Sequence, residues 1–103
     1  MTTQERSKLK LAFSESFGVK LKIVLKIKSR PQMVMYRRIL FYYLFQNTMH
    51  TTFSIADAFG LGSKYVYIDV VKSKELIKSS KEFKSHYEKF CNVIGFKNKA
   101  LIN

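Results

Sequence analysis

Lysine and arginine are the residues whose type and placement could do chemistry in this chain, and that chemistry is the electrostatic capture of a polyanion. Nineteen Lys and Arg stand against seven Asp and Glu, a formal charge of +12. That imbalance exceeds what solubility requires and would draw nucleic acid by long-range attraction. No Lys or Arg falls between Ile39 and Gly62. Ten precede that gap (Arg6, Lys8, Lys10, Lys20, Lys22, Lys26, Lys28, Arg30, Arg37 and Arg38) and nine follow it. The centre therefore reads as core with cationic flanks. A merely basic surface, or heavy lysine usage across a genome, would give a similar total.

Other chemistries lack their residues. No G-x-x-x-x-G-K-[ST] loop is present, so no nucleotide is expected. Ser54, His50 and Asp57 have no nucleophile elbow or oxyanion loop around them and read as caps and surface groups, and His86 reads as exposed, so no enzyme is expected. His50, His86 and Cys91 do not make a zinc site, and no metal or other cofactor is expected. A single cysteine forms no internal disulfide, which favours a reducing compartment. The first residues lack a cleavable apolar segment, and the greasiest run, residues 39–45, is far shorter than the roughly 20 residues of a membrane span. A cytoplasmic protein with no membrane partner is expected.

The cationic groups need a scaffold, and residues 53–70 supply its pattern: a short helix, a glycine corner and a second helix. Ile55 and Phe59 lie four apart and share a face. Ala56 is small where two crossing helices would touch. Gly60 suits the left-handed backbone that ends a helix, Leu61 would plug the corner, and Ser63 is placed to cap the next helix. Val66, Val70 and Ile77 would anchor that helix, with Lys64, Tyr65, Ile68 and Asp69 on other faces. Such a helix-turn-helix can present the first turn of its second helix to a major groove. An ordinary helical hairpin in a core has the same spacing.

With 103 residues, 47% of them hydrophobic, the chain suits one domain with one core. One proline and four glycines favour helices over a many-turned sheet. The spacing predicts an all-α, multi-helix domain over residues 1–95, with 96–103 as a flexible tail. Residues 7–17 read as a first helix stopped by Gly18. Residues 20–27 alternate like a strand, but a lone strand has no partner, so a helical turn is preferred. Pro31 fits the start of a central helix over residues 32–46, which is apolar nearly all round. Ser54 is the expected cap of the short helix. The second helix of the motif is expected over residues 63–77, and a last helix from Ser80 to a stop at Gly95.

These residues resemble the C-terminal DNA-binding domain of the DnaA replication initiators. The likeness runs from about Phe13 to Phe90. It includes Phe17-Gly18-Val19-Lys20, the basic loop Lys28-Ser29-Arg30, Tyr36-Arg37-Arg38 leading into the central helix, Thr48, Ile55-Ala56-Asp57-Ala58-Phe59-Gly60, Leu76-Ile77 and Phe83. The family's Gly-Arg-Asp-His-Thr-Thr-Val signature is replaced by Leu61-Gly62-Ser63-Lys64-Tyr65-Val66-Tyr67. The resemblance implies a TrpR/DnaA-type helix-turn-helix domain that docks on double-stranded DNA. It puts Ser63, Lys64 and Tyr65 at the base-reading positions and Arg30 or Arg37 at the loop contact, with a target other than the initiators' usual box. Lys64 could donate to guanine, Ser63 donate or accept, and Tyr65 meet a thymine methyl or a phosphate; Tyr65 and Tyr67 could instead be core or dimer residues. Lys26, Lys28, Arg38, Lys72 and Lys74 would hold phosphates, and Asp69 would need a neutralising neighbour such as Lys72 or Lys64, or would accept from cytosine. Replication control and transcription regulation both fit, with a second copy of the chain as a candidate partner. The alternative is a protein-interaction adaptor that kept the fold, lost the readout and docks through Tyr65 and Tyr67.

Overall fold

Six helices make up the chain in the computed structural model, which describes the backbone of residues 1–102 and the side chains of residues 1–95: α1 (Thr3–Phe17), α2 (Leu21–Lys26), α3 (Pro31–Asn47), α4 (Thr52–Phe59), α5 (Ser63–Ser79) and α6 (Lys81–Ile102). The all-α class and the central place of α3 are as the sequence implies. Helix α3 packs on α2, α4, α5 and α6, and its Ile39, Leu40, Phe41 and Leu44 are fully enclosed. A helix apolar on most sides has to be surrounded, and this one is.

Local chemistry sets the ends. Thr2 and Glu5 form a reciprocal capping box on α1, which therefore starts earlier than residue 7. Pro31 opens α3 at its first position, where a missing N–H costs nothing. Thr51, rather than Ser54, caps α4; Ser54 sits at the third position and completes the box from the other side. Gly18 and Gly60 end α1 and α4 with φ of 68° and 67°, a left-handed backbone that glycine adopts at no steric cost. Ser80 accepts from the Phe83 N–H at 3.1 Å and starts α6. Gly95 does not stop α6: the helix runs on through residue 102, so the backbone of the expected tail is helical as far as described, while Asn103 lies outside the described residues.

Two regions of core matter for the site. Phe13, Phe17, Tyr36, Tyr43 and Phe90 meet ring to ring where α1, α3 and α6 come together, and His86 is half-buried against Phe17 and Tyr36 rather than exposed. On the other side, Ile55 and Ala56 of α4 and Val66 and Val70 of α5 join the same buried cluster. Helices α4 and α5 are thereby clamped to each other and to α3, which fixes how α5 leaves the corner at Gly60.

Candidate nucleic-acid interface

Helix α5 has two faces. Val66, Asp69, Val70 and Ser73 are buried, whereas Lys64, Tyr67, Ile68, Val71, Lys72 and Glu75 are exposed. At 100° per residue the first set forms one stripe and the second the opposite one. The helix is not capped by Ser63. Gly62 is its cap residue, without a side-chain hydrogen bond, and Ser63 is its first helical residue. Ser63 lines a shallow surface depression with Thr52, Phe53, Lys64 and Tyr67, so the start of α4 and the first turn of α5 share one surface.

Asp69 resolves its own difficulty by turning inward. Its two oxygens accept from Arg37 Nε at 3.1 Å and Arg38 Nε at 3.2 Å, so its neutralising partners are on α3 and not Lys72 or Lys64. Ser73 Oγ shares its single proton between the Asp69 carbonyl of its own helix at 2.7 Å and the Arg38 carbonyl at 3.2 Å, which brings α5 against α3 again. The ion pair removes the one carboxylate of the first three turns from the exposed face of α5.

The same network corrects two expected contacts. Arg37 is 3% exposed and spends its charge on Asp69 and on the Tyr65 ring, 4.7 Å from its guanidinium carbon; it has no route to a phosphate or a minor groove. Tyr65 is half-buried, with its hydroxyl enclosed and unpaired, so that hydroxyl is not offered to a phosphate and the ring is not a freely exposed aromatic. Burial also pushes its phenol above the ordinary value of 10.0, against the opposing pull of Arg37. Arg38 keeps 27% of its side chain exposed but is held by Asp69. The remaining expected residues, Lys28, Arg30, Lys64 and Lys72, are all exposed.

Tyr65 has a structural task instead. Its ring carries Arg37 and also Lys28, whose Nζ stands 5.9 Å from the ring centroid. The loop at residues 28–30 is therefore next to the first turn of α5, although Lys28 and Tyr65 lie 37 positions apart in the sequence. On the sequence alone Asp69 falls on an outer face and Arg37 and Arg38 at DNA, so their pairing is not apparent there. The spacing of Val66, Asp69, Val70 and Ser73 was the signal that could have placed Asp69 inward.

Among the described residues no group of three His, Cys, Asp or Glu could hold a metal, and no helix is long and apolar enough to cross a membrane. Comparisons with models of known families, with curated proteins and with solved structures give no significant match.

Proposed function

We propose that this chain is a non-enzymatic protein that binds double-stranded DNA, with α4 and α5 acting as a helix-turn-helix of the kind its sequence resembles in the DnaA initiators. The first turn of α5 enters the major groove, led by Lys64 and Ser63. Lys28 and Arg30 hold the backbone beside it, and Lys72 meets a phosphate farther along, about 12 Å up the helix from Lys64. Replication control and transcription regulation in the cytoplasm are the processes this would serve.

The observation that carries the reading is the Lys28–Tyr65 contact, which sets the cationic loop against the tip of α5, so that one duplex can meet both. The adaptor alternative loses part of its support because Tyr65 is not exposed. Fluorescence anisotropy on a pool of random duplexes tests the proposal. Affinity is expected to fall steeply with salt, Lys28→Ala to weaken all sequences together and lower the salt slope by about one, and Lys64→Ala to change which sequences are preferred. Binding that ignores both salt and Lys64, or no binding at all, overturns it.

A further inference from the structure

We propose that α5 selects thymine-rich duplex by apolar contact with the thymine 5-methyl groups, through Tyr67, Ile68 and Val71; this rests on the reading of α5 as the groove helix. These three residues form the middle of the exposed stripe, at 58%, 46% and 36% exposure, and Phe53 at the start of α4 adds a fourth apolar group at 72%. A surface helix normally turns polar residues to the side opposite its core. Here the side opposite Val66 and Val70 is apolar for more than a turn. Lys64 precedes it and Lys72 adjoins it.

The occupant is argued from that mixture of charge and grease. Between Gly60 and Lys74 the exposed charges are all lysine, because Asp69 is turned into the interior by Arg37 and Arg38; Asp57 lies at the far end of α4 from Phe53, and Glu75 follows a turn beyond Val71. An apolar strip rimmed by cations matches a major groove whose walls are phosphates and whose floor carries methyl groups. Thymine is the base that presents such a methyl there. Between Lys64 and Lys72 the strip offers a single hydrogen-bonding group, the Tyr67 hydroxyl, so donor–acceptor matching can specify little beyond the base that meets Lys64. Guanine, with O6 and N7, suits that lysine.

The test begins with the duplex most enriched from a random pool, resynthesised with deoxyuridine for every thymine. That exchange removes the methyl groups and leaves base pairing intact. Affinity is expected to drop about fourfold for each methyl in contact, and so more than tenfold for two. Ile68→Ser with Val71→Ser is expected to bring the two duplexes to nearly equal affinity; both residues are exposed, so circular dichroism is expected to show an unchanged fold. Thymine and uracil duplexes bound alike by the unaltered protein overturn this inference while DNA binding stands. If no duplex is bound in a salt-sensitive way, the groove reading fails and this one with it. Self-association abolished by the same two serines would then assign the strip to a second copy of the chain.

Discussion

Asp69 is the residue on which the geometry of the interface turns. Its carboxylate, with 6% of its side chain exposed, takes hydrogen bonds from two arginines of α3, one of them just as deeply enclosed. A buried ion pair contributes less to stability than its contacts suggest, because both charges have given up water. Removing one partner is another matter, since the other charge stays behind without compensation. Asp69→Asn keeps the volume and deletes the charge. It is expected to lower the unfolding free energy by on the order of 3 kcal/mol, measured by urea titration. A loss below about 1 kcal/mol would mean that Arg37 finds water or another partner, and that its burial is not fixed by Asp69. Replacing Arg30, which is exposed in the loop, is expected to leave stability unchanged and to weaken DNA binding. The two arginines are thus separable by measurement, although the sequence offered both for the same loop contact.

At the scale of elements, the corner between α4 and α5 sets the direction in which the candidate groove helix leaves the core. Gly60 holds φ at 67°, and a Cβ placed there would meet nothing within 4 Å, so a substitution is penalised by backbone conformation alone. Gly60→Ala is expected to cost about 1 kcal/mol, seen as a lower melting temperature. Gly62→Ala, two residues on at φ of −75° with equally open space, is expected to be close to neutral. Equal effects of the two would contradict this account of the corner. Gly18 and Gly60 were legible as helix ends because a left-handed residue follows each helix. The same rule predicts a stop at Gly95 that α6 does not make: glycine inside a helix is only a weak helix former and does not by itself end one. Element order and the enclosed α3 were also legible, since they follow from apolar periodicity. The burial of Arg37 was not, because it depends on a carboxylate 32 residues away that only packing brings near. Lys28, Arg30, Lys64 and Lys72, the residues expected at DNA, are exposed for a plainer reason, which is that lysine and arginine are seldom buried without a partner.

On the scale of the whole molecule, the formal charge of +12 is carried on a body with a radius of gyration of 12.8 Å. The Debye length is about 10 Å at 0.1 M salt, similar to that radius, so near that concentration salt begins to screen one side of the protein from the other. Mutual repulsion of the lysines opposes the compact state and weakens as salt is added. The buried Arg37–Asp69 pair is shielded from solvent and responds far less. The melting temperature is therefore expected to rise as sodium chloride is increased from about 50 to 200 mM. Duplex affinity over the same interval is expected to move the opposite way, because counterions released from DNA on binding are worth less in more concentrated salt; a footprint of about six phosphates would lose roughly 10³ in affinity. The two trends share one cause, an excess of exposed cations, and can be read from a single preparation by differential scanning calorimetry and anisotropy. A melting temperature that falls with salt would show that attractive surface pairs outweigh the repulsion. Affinity that stays level while the melting temperature climbs would leave the charge as a property of the fold alone and remove the electrostatic basis for DNA as the partner.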